Sequence, residues 1–174
     1  MSALTWPLPP GTNAEEAQMA QNAPTPREPH PPRLLRHEDL PRVALAEMNA
    51  VHEDEIDMLN ELLVLLPQTG TYAEARHALD HRLQALLEHL RTHFSSEEEL
   101  MRRYGFPVYP IHKGEHDRVR AELEQIIADW QTDGDLSALR HYLYEVFPAW
   151  MFQHIASMDR VTALFLAEAT QSRG

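Results

Sequence analysis

The 174-residue chain has no cysteine, which excludes disulfides, zinc–thiolate sites and iron–sulfur clusters. Basic residues are in the minority, 15 Lys and Arg against 27 Asp and Glu, and the formal charge is -12. A nucleic acid or an anionic membrane attracts the opposite sign, so neither is an expected partner. No run approaches the roughly eighteen apolar residues of a membrane span. The first residues lack both the basic start and the apolar run of a secretory signal, so the cytoplasm is the expected location. Nothing reads as a strand.

A hydrophobic content of 43% with 24% charged residues is that of a globular protein with a proper core. The prolines are unevenly spread. Eight of the thirteen fall within residues 1–33, among Asn, Gln, Thr and Glu, and a ninth is Pro41. Such a stretch cannot sustain a helix or supply much core, so residues 1–37 are expected to be a disordered or extended arm. Trp6 is its one candidate for docking, on a partner the sequence does not identify. Residues 38–174 form the expected domain.

Four amphipathic segments follow. The first is expected from about Asp39 to Pro41, with apolar residues recurring from Val43 to Leu66 at near-helical period, until Pro67 and QTGT stop it. The second opens at Thr71, with Glu74 three positions on as a capping box, and ends before Gly105 and Pro107. The third starts at about Pro110 and is broken by TDGD at 132–135. The fourth spans about Leu136 to Ala169, with a kink or short break expected at Pro148. The fold expected is all-α, an up-down-up-down antiparallel four-helix bundle.

Eleven histidines make an isolated pair four residues apart weak evidence, and His77/His81 and His89/His93 both have that spacing. Order and placement say more. Each helix carries one set: a single inward His52; His93 with Glu97; His112 with His116; His154 with Asp159. Residues four apart share a helix face, so the middle two sets can each aim two donors at one place. Imidazoles with carboxylates suit a first-row transition metal better than calcium, and seven such side chains suffice for two ions with two bridging carboxylates. Spacing alone leaves iron, manganese and zinc open.

The ordered set, with HFSSEEELM, the YP–H–x–x–x–H stretch and WMFQHIASMD, resembles the hemerythrin family of non-haem di-iron four-helix bundles, over roughly residues 38–169. The resemblance implies two iron ions in a μ-oxo or μ-hydroxo di-iron centre. It places His112, His116 and His154 on a coordinatively filled iron. His52 and His93 fall on the iron with an open position, and Glu97 and Asp159 bridge the two. It implies binding of O2 or another small diatomic or peroxide ligand, for oxygen transport, storage or sensing, with Phe94, Trp150, Met151 and Ile155 as the apolar wall of the oxygen pocket.

Two positions depart from the family pattern. Where a bulky aliphatic residue usually lines the pocket, three residues after His52, stands Glu55. Its carboxylate either swings to solvent or enters the pocket as an extra ligand or proton donor. The second case would favour a di-iron oxidase or peroxidase that turns over H2O2, O2 or NO, with Glu55 as its catalytic residue. Asn49 stands where an Asp is usual, and could hydrogen-bond an imidazole without adding charge.

A ferritin-like carboxylate site needs two ExxH motifs, and only Glu74/His77 fits. His30, His37, His77, His81 and His141 read as surface residues, and His89 as surface or core with a role behind a ligand as the other option. Of the EEE at 97–99, only Glu97 stands out; its neighbours read as a solvated face.

Overall fold

A computed structural model describes residues 34–69 and 73–172. Among these there is no strand, and the helices form an up-down-up-down bundle. The proline-rich stretch, Trp6 and Thr71 with its capping box lie outside the described residues, apart from residues 34–37 of the expected arm.

Helix α1 spans Ala46–Leu65, α2 Ala73–Tyr104 and α3 Tyr109–Asp133. The fourth arm is continuous over 136–171 but not uniform. It consists of α4 (Leu136–His141), a π-helical turn (Tyr142–Val146), α5 (Phe147–His154), a second π-helical turn (Ile155–Asp159) and α6 (Arg160–Gln171). Neighbouring helices pack in chain order, and the first π turn closes the ring against α1. No helix among the described residues is long and apolar enough to cross a membrane.

Each helix buries one face. On α1 it holds Met48, Ile56, Leu59, Leu62 and Leu63; on α2, Leu79, Leu83, Leu86, Leu90, Phe94 and Met101; on α3, Val119, Leu123, Ile127 and Trp130. Three-to-four-residue spacing puts these on one stripe, and their burial supplies the main drive to associate.

The fourth arm keeps a different interval. Leu139, Leu143, Phe147, Met151, Ile155, Asp159 and Ala163 are all buried, each four residues after the last. On a regular α-helix every four-residue step overshoots a full turn by about 40°, so this stripe would drift by about 240°. Each π turn accommodates one extra residue and takes back about 100°. Two of them nearly cancel the drift. The first also accommodates Pro148: the chain turns wide just before it, with Phe147 N–H bonding Tyr142 C=O, and no break results.

Turns end the helices where the sequence indicates. Gly105 (φ 73°) donates to Arg102 C=O at 3.3 Å, and Phe106 donates to Met101 C=O at 2.8 Å. This is the glycine-terminated pair of bonds that closes a helix and reverses the chain into α3. Gly134 (φ 69°) caps α3, and Asp135 accepts from the N–H groups of Ser137 and Ala138 to start α4.

One boundary differs from expectation. The first helix begins at Ala46, not at Asp39 to Pro41; residues 37–39 form only a short 3-10 turn. The side chain of Asn49 is the cause. Its Oδ1 accepts from Val43 N–H, and its Nδ2 donates to the carbonyls of Val43 and Leu45, each at 2.9 Å. The segment before α1 is therefore held extended against the first turn. Further upstream, Leu35 exchanges two backbone bonds with the Asn60 amide, and His37 bonds Asp57 at 2.8 Å.

Candidate metal centre

Seven polar side chains meet at one level of the bundle: His52 from α1, His93 and Glu97 from α2, His112 and His116 from α3, His154 from α5, and Asp159 from the second π turn. Each is at least nine-tenths buried. These are the seven residues singled out from sequence, and the structure brings them together.

Their contacts fall into two halves. On one side, His154 Nε2 lies 3.0 Å from His112 Nε2 and 3.1 Å from His116 Nε2. On the other stand His52 and His93, with ring centroids 5.3 Å apart. The carboxylates lie between. Asp159 turns Oδ1 to His112 (3.2 Å) and His154 (3.1 Å), and Oδ2 to His52 (3.2 Å). Glu97 Oε2 sits 3.5 Å from His116 and 3.8 Å from both His93 and His112. One carboxylate thus faces both halves with separate oxygens, and the other reaches imidazoles of both.

The π turn makes this possible. On a regular α-helix, residues five apart point about 140° away from each other. With the extra residue absorbed at Ile155–Asp159, His154 and Asp159 share a face.

Donor chemistry points to cations. His52 Nε2, His93 Nε2, both Glu97 oxygens and both Asp159 oxygens are buried with no hydrogen-bond partner. Unpaired polar groups at this density are costly unless something binds them. Imidazole nitrogens 3.0 and 3.1 Å apart can share at most one proton per contact. A common cation at about 2.1 Å from each donor, with ligands at right angles, puts neighbouring donors about 3.0 Å apart; tetrahedral angles would put them about 3.4 Å apart. Nitrogens 3.0 and 3.1 Å apart are close enough to share one cation. Among the described residues, His112, His116, His154 and Asp159 form a group whose donor atoms all lie within 4.8 Å of one another.

Electrostatics follow from burial and crowding. Burial, with His112 and His154 beside it, pushes His116 down to about 2, which keeps it in the neutral, ligating form. Burial also works against charge on His93, but Glu55 outweighs it and drives His93 up to about 9. Burial and the neighbouring Asp159 carry Glu97 well above the usual carboxylate range. For Asp159 burial acts in the same sense, but the imidazoles of His112, His154 and His52 overcome it and hold the group well below that range.

Residues behind the ligands were less visible in the sequence. Thr162 Oγ1 bonds His112 Nδ1 at 2.9 Å, and Glu98 Oε1 lies 3.5 Å from His116 Nδ1. Glu98 is therefore not part of a solvated face as the sequence reading had it; only Glu99 of the pair is exposed. Glu55 is buried, with Oε1 2.6 Å from His93 Nδ1 and 3.7 Å from His89 Nε2. The solvent-facing alternative does not apply. Asn49 serves backbone groups, not an imidazole.

Among the pocket residues, Phe94 stacks on His116 at 4.0 Å, Trp150 stacks on His154 at 4.8 Å, and Met151 and Ile155 are buried in the same core. Trp150 and Phe94 thus wall the three-histidine half. On the other side, an apolar cavity of about 200 Å³ between α1 and α2, bordered by Met48, Val51 and Leu100, reaches His93 and Glu97. His77, His81 and His141 are exposed, and His89 is half-buried.

A family model described as "Hemerythrin HHE cation binding domain" matches residues 43–163, which takes in all seven side chains. The chain belongs to the hemerythrin family. It is 33% identical over 135 residues to a bacteriohemerythrin of Aquifex aeolicus, covering 78% of this chain and 99% of that protein. A bacteriohemerythrin of Ralstonia nicotianae is 34% identical over 86 residues, 49% of this chain and 61% of that one. A myohemerythrin of Sipunculus nudus is 31% identical over 78 residues, 45% of this chain and 58% of that one. No solved structure gives a significant match. Within that family frame, the buried His112, His116, His154 and Asp159 are a group able to hold a metal ion.

Proposed function

We propose that the chain is a di-iron protein that binds O2 reversibly, as an oxygen carrier, store or sensor. His112, His116 and His154 would hold one ion, His52 and His93 the other, with Glu97 and Asp159 shared. The observation that carries this reading is the asymmetry of the site. Three imidazoles stand on one side and two on the other, and the apolar cavity reaches the side with two. When loaded, the pair of ions would supply an open coordination position and the electrons needed to hold O2.

The chain's own part is to shape that position. Met48, Val51 and Leu100 give the approach a mostly apolar surface, which suits a small neutral ligand, with Glu47, His89, Thr92 and Ser96 at its edges. Phe94 and Trp150 pack on the rings of His116 and His154, which fixes the filled side and excludes water from it. The oxidase or peroxidase reading drew on Glu55 entering the pocket. No observation favours it, because the carboxylate bonds the ring nitrogen of His93 that faces away from Glu97.

The test is an optical spectrum of the reduced, iron-loaded protein as oxygen is admitted and then removed. A ligand-to-iron charge-transfer band that appears and then vanishes supports reversible binding. Passage to an oxidised spectrum without recovery refutes it.

A further inference from the structure

Resting on the reading that His93 holds the ion with the open position, we propose that Glu55 is a positioning residue for that ion. It locks the His93 ring and lowers the ion's reduction potential by placing a negative charge directly behind the ligand.

The argument starts from a comparison of the five imidazoles. His93 Nδ1 meets a carboxylate oxygen at 2.6 Å, a charge-assisted distance. His112 Nδ1 meets a neutral hydroxyl, Thr162, at 2.9 Å. His116 Nδ1 lies 3.5 Å from Glu98, without a hydrogen bond, and His52 and His154 have buried Nδ1 atoms with no partner. One ligand of the five is therefore backed by a hydrogen-bonded carboxylate. It stands in the half that has only two imidazoles.

Burial makes the contact decisive. Glu55 is 2% exposed and His93 8%, so bulk water cannot substitute for the bond. A carboxylate can only accept, so His93 carries a proton on Nδ1 toward Glu55, and Nε2, on the side of Glu97, is the nitrogen left for a cation. The bond fixes the ring's tautomer and orientation together and raises the basicity of the ligating nitrogen. It also adds one negative charge to the half that lacks a third ligand. More electron donation at that ion stabilises its oxidised form. The ring lies between Glu55 and the ion, so the carboxylate acts through His93 and not as a ligand itself.

The experiment compares wild type with Glu55→Gln and Glu55→Leu, each loaded anaerobically with ferrous iron. Iron stoichiometry, chelator competition and the midpoint potential are measured, with far-UV circular dichroism as the check on folding. Gln keeps the acceptor oxygen and removes the charge, so this variant should hold two ions with a more positive midpoint potential. Leu removes both, and should also bind the second ion about 10- to 100-fold more weakly. Wild-type potential and affinity in both variants would overturn the inference and leave the di-iron reading standing. Should Leu fail to fold, an unshifted potential in Glu55→Gln alone overturns it. Wild type that takes up no iron would instead overturn the di-iron reading, and this inference with it.

Discussion

In the metal-free protein, the contact between Glu55 and His93 makes folding stability depend on pH in a way that one substitution should expose. Burial opposes charge on His93, but Glu55, with smaller help from Glu97 and Asp159, raises it to about 9. The unfolded chain binds that proton with a value of about 6.5. A group raised on folding gives its full stabilisation below the unfolded value and loses it as pH climbs through the folded one. The gap from about 6.5 to about 9, at about 1.4 kcal/mol per pH unit, is worth about 3 kcal/mol. Glu55→Gln keeps the shape and the acceptor but lacks the charge, so burial then holds His93 neutral. Urea unfolding of chelator-treated wild type and variant, at about pH 6 and about pH 9.5, isolates the effect, since other groups titrate in both proteins. The wild-type advantage should shrink by about 3 kcal/mol as pH rises across that window. A difference that stays constant would refute the ion pair.

Two further outcomes are expected. Thr162→Val keeps the shape of the buried side chain but leaves His112 Nδ1 without its partner. It should cost about 1–3 kcal/mol in urea unfolding and weaken metal retention in chelator competition by about 10-fold or more. Acidification of the loaded protein should release the ions, because imidazole binds metal only when unprotonated and protons compete for the same nitrogens. Dialysis against buffers of falling pH followed by metal analysis reads this directly, and retention that never falls with pH would argue against histidine ligation.

How far the sequence could be read depends on whether the determinants were local. Pro67, Gly105 and the TDGD break act on their own neighbours, and the helices end there. The leucine stripes of α1 and α2 follow the α-helical period, so their buried faces were legible. The fourth arm was harder. A strict four-residue interval does not fit an α-helix, and only the two π turns reconcile it with one face. For the same reason, His154 and Asp159 at a five-residue spacing could be proposed as a pair only from their order among the other sets. The helix start was misplaced because Asn49, inside α1, dictates the conformation of residues upstream of it. Thr162 and Glu55 act across 50 and 38 residues, and no spacing rule reveals such partners. The direction of Glu55 was the least legible feature, since a position near the pocket face left two orientations open and the neighbouring helix selected a third.

The level of the bundle that holds the seven polar side chains can be viewed as a polar layer set into an apolar core. Above and below it, leucine, isoleucine and phenylalanine meet across the axis and need nothing from outside. At this level every arm offers charge or a lone pair. On the di-iron reading, cations would serve as the centre of that layer. Folding and loading would then be one equilibrium: each ion bound would add to the free energy of unfolding, and the supply of iron would set how tightly the four arms are clasped.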